Sequence, residues 1–290
     1  MPAQDSQLSV ISNQLSVVAQ QLRADVLRMV VAAGAGHIAG PLSSADIFAT
    51  LYFGDVARYR AAEPMWEMRD RVVLSCGHYC PILYATLAKA GYFPDTELLT
   101  FMQPGSRLPG HPERGSLPGV EVSAGPLGQG VSVAVGMALA LKMRYGYMPQ
   151  TETPRVYCVL SDGEIQEGQV WEAFTLAVRR QLDNLIFIVD RNHVQIENYV
   201  SQLAAYGSLA GRFEGFGLYV LEAEGHNPDA LNRAFAHARV VSGAPAIVIA
   251  ETVAGKGVSF MERSPEWHDR VPTEEELQQA LGELRTSNNE

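Results

Sequence analysis

The chain has 290 residues, of which 47% are apolar and 19% charged, and its 22 basic and 32 acidic side chains give a net charge of −10. This composition excludes a disordered, collagen-like or disulfide-scaffold protein. The acidic balance gives no general attraction for nucleic acid or anionic lipid. Any phosphate-bearing ligand therefore has to be held by backbone N–H groups, histidines or a bound cation.

Apolar residues at helical spacing from Leu15 to Met29 predict an opening amphipathic helix that stops near Gly34. Beyond it, short apolar runs typical of strands buried on both faces of a parallel sheet lie at 71–75, 155–160, 185–190, 218–222 and 246–251. Helices are predicted between them, over 81–90, 130–145, 168–181 and 228–241. A last helix is capped by Thr273 with Glu276. The alternation predicts an α/β fold, a doubly wound and mostly parallel sheet with helices on both faces.

The segment 103–130 is rich in Gly and Pro, and long loops of this kind inside compact domains are usually functional or disordered. No internal repeat, low-complexity tail or charge run marks a second domain. We expect residues 1–290 to form a single domain with a C-terminal helical tail at about 273–285.

The cysteines and the first residues bear on the cellular compartment. Cys76, Cys80 and Cys158 form no even framework, which favours a reducing environment. Residues 1–6 lack the basic and apolar regions of a secretion signal, and no stretch approaches the roughly 18 apolar residues of a membrane span. We expect a cytoplasmic protein that binds neither membrane nor nucleic acid.

Polar residues follow two predicted strands that are neighbours along the chain. Asp162 and Gly163 come after one strand, and Asn192 comes after the next. If these strands are also neighbours in the sheet, their ends lie about 5 Å apart. A carboxylate and an amide oxygen would then suit Mg²⁺ or Ca²⁺. The alternative is that both segments are only turns, in which Asp, Asn and Gly are common.

The pair Asp162-Gly163, with Glu167 and then Asn192, resembles the thiamine diphosphate-binding signature, and the chain is similar to transketolase in detail. Six further segments occur in that family's order, at 36–37, 74–78, 109–113, 125–130, 212–214 and 255–257. They resemble only the N-terminal half of transketolase. The resemblance therefore implies the fold of its diphosphate-binding domain.

The resemblance also implies roles for single residues. The metal ligands would be Asp162, Asn192 and Val194, and the residues touching thiamine diphosphate would include His78, Gly125, Leu127, Gly163 and Glu167. His37, His111 and His268 would face the substrate, where imidazoles can bind sugar hydroxyls and move protons. Glu167 would also connect paired active sites by hydrogen bonds. As a plain structural feature, it would be a carboxylate favoured at a helix N-terminus.

Departures from the family are Ser161 for a usual Gly, Ile38 for a common Pro and Cys76 for a frequent Asn. They indicate a divergent branch and leave the substrate open. A larger difference is that no segment resembles the pyrimidine-binding domain, which in this family provides the activating glutamate.

We therefore expect the N-terminal subunit of a split transketolase, moving a two-carbon ketol unit from a ketose phosphate to an aldose. A C-terminal transketolase subunit would supply the pyrimidine domain in an α2β2 heterotetramer.

Two alternatives stay open. The α-subunit of a 2-oxo acid dehydrogenase shares the metal signature, although His37, His78 and His111 favour sugar chemistry. The second alternative is a subunit that binds the cofactor but does not catalyse a reaction. Intact Asp162, Asn192 and Glu167 argue only weakly against it.

Overall fold

The computed structural model describes residues 2–196, 198–203 and 207–286 of the chain. Its α-helices are α1 (Pro2–Ala33), α2 (Ala39–Ser43), α3 (Ala45–Phe53), α4 (Cys80–Lys89), α5 (Gln129–Tyr145), α6 (Gly168–Arg179), α7 (Val200–Leu203), α8 (Leu209–Phe216), α9 (Pro228–Ala238) and α10 (Glu274–Thr286). The strands are β1 (Arg71–Leu74), β2 (Val156–Ser161), β3 (Leu185–Arg191), β4 (Val194–Gln195), β5 (Asn198–Tyr199), β6 (Tyr219–Glu224) and β7 (Ala246–Glu251).

Five strands form one parallel sheet in the order β1-β2-β3-β7-β6, while β4 and β5 pair separately as a short antiparallel hairpin. The predicted parallel α/β sheet is confirmed, with strand ends shifted by one or two residues. β2 and β3 are neighbours, and Ser161 lies opposite Asp190 in their register. All five parallel strands end at the same edge, so the loops that follow them meet there.

One strand differs from its prediction. The run at 218–222 was expected to be buried on both faces, and this is wrong. β6 lies at the edge of the sheet with β7 as its only strand neighbour there, and Ala223 is its one buried residue. An edge strand has a neighbour on one side only, so apolar character alone does not reveal its exposure.

Helices cover both faces of the sheet. One core cluster unites α1, α3, α4, α9 and α10, and a second lies under α5, α6 and α8. α2 and α3 were not predicted because every residue from Ala39 to Tyr52 is buried, and a helix buried on all sides shows no amphipathic stripe. The predicted cap of α10 is present, since Thr273 N–H donates to Glu276 and Glu276 N–H donates to Thr273 Oγ1.

The predicted long loop is also present, because 101–128 holds no helix or strand apart from one bridge between Arg114 and Leu117. Cys76, Cys80 and Cys158 are buried and unpaired. Across the described ranges, no helix combines the length and apolar character needed to cross a membrane.

Candidate active site

The site begins with a buried carboxylate, one of whose oxygens lacks a partner. Asp162 follows β2 and is 3% exposed. Its Oδ2 accepts the N–H of His193 at 2.8 Å, whereas its Oδ1 is buried with no hydrogen-bond partner among the described residues. Burial, together with the nearby carboxylate of Asp190, raises the pKa of Asp162 to about 7. An unsatisfied buried carboxylate oxygen is what a bound cation would compensate.

Asn192 lies at the same turn, after β3. Its Oδ1 accepts the N–H of Val194 at 3.0 Å, and its Nδ2 donates to Tyr79 and Asp190. The backbone N–H of His193 thus donates to Asp162, and the next N–H along the chain, that of Val194, donates to Asn192. The structure therefore brings the three predicted metal ligands to one turn. Their oxygen chemistry suits Mg²⁺ or Ca²⁺. The described part of the chain holds no group of three or more His, Cys, Asp or Glu residues that could bind a metal ion through their side chains alone.

The backbone N–H groups of the segment after Asp162 are satisfied locally. Those of Glu164, Gln166 and Glu167 donate to Ser161 Oγ, Gly163 O and Glu164 O respectively. These contacts form a tight turn over Glu164–Gln166, and α6 then begins at Gly168, where it was predicted. Gly163 packs closely, because a Cβ there would lie 3.1 Å from the Gln195 side chain.

Sequence reasoning missed the role of Glu164. This carboxylate is completely buried, and its Oε1 accepts the hydroxyl of Ser75 at 2.6 Å and the N–H of Gly128 at 2.7 Å. Glu164 therefore ties the turn after β2 to the end of β1 and to the loop before α5. The signal in the sequence is a second carboxylate only two residues after Asp162, in the segment that follows β2.

The loop before α5 packs tightly on the end of β1. A Cβ at Gly77 would lie 2.7 Å from the Ala124 carbonyl, so this loop depends on a glycine beneath it. Gly125 follows Ala124 directly, and Leu127 lies two residues further on. Glu167 is exposed. It lies beside this loop, because a Cβ built at Gly128 would be 3.2 Å from the Cβ of Glu167.

Three predicted histidines form a cluster. The ring centroids of His37 and His78 are 4.9 Å apart, those of His37 and His268 are 5.2 Å apart, and those of His78 and His268 are 5.5 Å apart. His37 lies between α1 and α2, His78 follows β1, and His268 follows the turn Pro265–Trp267. The N–H of Ile38 donates to the carbonyl of His268 at 3.1 Å and joins two of these loops.

The cluster is electrically neutral near pH 7. Burial, with the charges of the neighbouring imidazoles, lowers the pKa of His37 to about 4 and that of His78 to about 2. Burial also lowers the pKa of His268. His111 is exposed, its ring lies beside Gly125, and it is one of the neighbouring imidazoles that contribute to the lowered pKa of His37 and His78. A neutral imidazole can donate one hydrogen bond and accept another, which suits the binding of hydroxyl groups.

Comparison with known proteins covers almost the whole chain. The family described as "Transketolase, thiamine diphosphate binding domain" matches residues 14–286. The chain is 40% identical over 251 residues to a 6-deoxy-6-sulfo-D-fructose transketolase subunit of Clostridium sp. (strain MSTE9), which is 87% of this chain and 89% of that protein. It is 37% identical over 270 residues to an apulose-4-phosphate transketolase subunit of Phocaeicola vulgatus, covering 93% of each.

A solved structure shows the same fold within a longer chain. Transketolase from Leishmania mexicana superimposes with a TM-score of 0.87 at 31% identity. The match covers 95% of this chain and 44% of that one. The present chain therefore spans less than half of that transketolase.

Proposed function

The chain belongs to the transketolase family, and from this premise we propose that it is the N-terminal subunit of a transketolase divided between two polypeptides. The reaction transfers a two-carbon ketol unit from a ketose to an aldose. One observation supports the proposal: Tyr79 links the histidine cluster to the turn at residues 192–194, which we call the metal turn. Asn192 Nδ2 donates to the hydroxyl of Tyr79 at 2.8 Å, and the Tyr79 ring lies 4.7 Å from that of His78.

Asp162, Asn192 and the backbone of Val194 would hold Mg²⁺ or Ca²⁺, which compensates the unpartnered Asp162 oxygen. The cation would in turn hold the diphosphate of thiamine diphosphate, in a chain whose charge of −10 offers no general attraction for it. When bound, thiamine diphosphate supplies the nucleophilic carbon and the electron sink needed to break a carbon–carbon bond.

Further cofactor contacts would come from residues around this turn, namely His78, Gly125, Leu127, Gly163 and Glu167. The loop 124–128 is fixed from below by Gly77 and Glu164, so its backbone is held in place before any ligand arrives. Such preorganisation reduces the ordering cost of binding.

The substrate side would be formed by His37, His111 and His268. Because the pKa values of His37 and His268 are lowered, both imidazoles are neutral near pH 7 and can donate to one sugar hydroxyl while accepting from another. They orient the ketose and hold protons at the hydroxyl oxygens. Glu167, exposed beside Gly128, would form the hydrogen-bond link to a second active site.

A second polypeptide would complete the enzyme. The chain matches 89% and 93% of two relatives that are named as transketolase subunits, and only 44% of a complete transketolase. We propose that residues 1–290 act as one diphosphate-binding domain and that a C-terminal subunit brings the pyrimidine domain and the activating glutamate. The complex would be an α2β2 heterotetramer in the cytoplasm, where the three unpaired cysteines stay reduced.

The names of the two relatives suggest a donor class. One is named for a sulfonated fructose and the other for a sugar phosphate. We propose a ketose donor that carries an anionic terminal group, phosphate or sulfonate. The two alternative functions are less well supported, because the family match is to transketolase rather than to a 2-oxo acid dehydrogenase, and the neutral histidine cluster suits turnover of a sugar.

The test is to purify the chain with the polypeptide encoded beside it and to measure ketol transfer from phosphorylated and sulfonated ketoses. We expect activity only when both chains are present. Asp162→Ala should abolish Mg²⁺-dependent binding of thiamine diphosphate, measured by calorimetry on the two-chain complex. Full activity of the single chain would refute the split enzyme, and unchanged cofactor affinity in Asp162→Ala would refute the metal assignment.

A further inference from the structure

One buried carboxylate, that of Asp190, collects hydrogen bonds from four separate segments. It lies in β3 and is completely buried. Its Oδ2 is 2.6 Å from Ser43 Oγ, 3.0 Å from the Tyr79 hydroxyl and 2.8 Å from Asn192 Nδ2, and its Oδ1 accepts the Thr252 hydroxyl at 2.6 Å. All four partners are uncharged, so the carboxylate serves as a shared acceptor and not as half of an ion pair.

The partners of Asp190 belong to the segments that form the site. Ser43 is the last residue of α2, which starts two residues after His37. Tyr79 directly follows His78, and Thr252 directly follows β7. Asp190 therefore connects two histidine-bearing segments and the end of β7 to the metal turn.

The same contacts fix the amide of Asn192. Its Nδ2 faces three acceptors, Asp190 Oδ2 at 2.8 Å, the Tyr79 hydroxyl at 2.8 Å and Ser43 Oγ at 3.1 Å. Its Oδ1 accepts the N–H of Val194. Rotating the amide by half a turn would place its oxygen against the carboxylate and its NH₂ against an N–H group, so only one orientation satisfies both sides. In that orientation the amide oxygen lies at the turn that also binds Asp162.

We propose that Asp190 is a positioning residue for the metal site. It holds the Asn192 oxygen in the orientation that binds the cation, and it fixes the His37 and His78 segments relative to that oxygen. The inference rests on the proposed function, because it concerns the same cation and the same substrate pocket. Nothing in the motif resemblance assigned this role to Asp190.

The test uses the two-chain complex and Asp190→Asn. This change keeps the shape but removes the negative charge and replaces one of the two acceptor oxygens by an NH₂ group. Even if the remaining oxygen faces Asn192, its hydrogen bond is no longer charge-assisted, so the contact that orients the Asn192 amide is weakened. We expect Mg²⁺ affinity, measured by calorimetry with saturating thiamine diphosphate, to fall about 10–100-fold, as is typical when an outer partner of a metal ligand is removed. The KM for the donor ketose should rise as well, because the histidine segments lose a shared anchor.

Two further variants separate positioning from general destabilisation. Tyr79→Phe removes one hydroxyl that bridges Asn192 and Asp190, and it should weaken Mg²⁺ binding to a smaller extent. Asp70→Asn is the matched control, since Asp70 is a 5% exposed carboxylate bound by Arg58 and by the N–H of Arg155, and it directly precedes β1 at the edge of the sheet opposite to the metal turn. It should lower the urea midpoint of unfolding and leave Mg²⁺ affinity unchanged.

The outcomes are distinguishable. If the wild-type complex shows no Mg²⁺-dependent binding of thiamine diphosphate, the proposed function fails and the inference fails with it. If the wild type binds and Asp190→Asn binds Mg²⁺ as tightly, only the inference is overturned. Should Asp190→Asn not fold, Tyr79→Phe decides, and wild-type Mg²⁺ affinity in that variant overturns the inference.

Discussion

The neutral His78 should make the fold sensitive to acid. Burial and the neighbouring imidazoles lower the pKa of His78 to about 2 in the folded chain, whereas an ordinary histidine has a pKa of 6.5. Below pH 6.5 the His78 ring is therefore protonated in the unfolded chain but stays neutral in the folded chain. The folded state has its full stability above pH 6.5 and loses it as the pH falls. At pH 5 this proton favours unfolding by about 2 kcal/mol, and the result barely depends on how low the folded pKa lies.

The perturbation is His78→Gln, which keeps a polar side chain but removes the titrating ring. Urea unfolding of the full chain at pH 8 and pH 5 gives the loss of unfolding free energy on acidification. We expect that loss to be about 2 kcal/mol smaller in His78→Gln than in the wild type. The measured quantity is the difference in unfolding free energy between pH 8 and pH 5. If the substitution changes stability equally at both pH values, that change cancels.

His237→Gln is the control, since this exposed histidine on α9 contacts Tyr219 at the surface. It should show the wild-type loss on acidification. His37 adds to the effect in the same direction, because its pKa is lowered to about 4, mainly by burial. Equal losses in His78→Gln and the wild type would refute the reasoning that this ring is held neutral.

Two other changes probe the loop and the substrate side. Gly77→Ala would place a Cβ 2.7 Å from the Ala124 carbonyl, so we expect about 1–3 kcal/mol of destabilisation by urea unfolding together with weaker thiamine diphosphate binding. Gly136→Ala, which meets nothing within 4 Å on α5, is its control and should unfold no more easily than the wild type. His111→Ala should leave thiamine diphosphate affinity by calorimetry unchanged and raise the donor KM in steady-state kinetics, and a variant that lost cofactor binding instead would contradict the substrate-side assignment.

The sequence predicts features that depend on local pattern. β2 and β3 are continuous apolar runs that end in polar residues, so Asp162 and Asn192 could be placed at one edge of the sheet before their contacts were known. Their adjacency was predicted only if the two strands were neighbours in the sheet, and the pairing of β2 with β3 meets that condition. The family resemblance then supplied the histidines.

Contacts between side chains that lie far apart in the sequence could not be predicted in this way. Ser43 and Asp190 are 147 residues apart in the chain, and Ser75 and Glu164 are 89 apart. No local pattern indicates that these side chains meet. Such buried polar contacts are specified by how the helices and strands pack, and only the folded structure reveals them.

The unpartnered oxygen of Asp162 has a consequence for how the enzyme is assembled. A buried carboxylate oxygen without a partner would make the empty fold less stable than a cation-bound one, so a bound cation would act as a structural component as well as a clamp. Each tenfold excess of free cation over its dissociation constant adds about 1.4 kcal/mol to the bound form. A newly made subunit would then be most resistant to unfolding where cation and cofactor are abundant. Those are also the conditions in which the subunit can bind both.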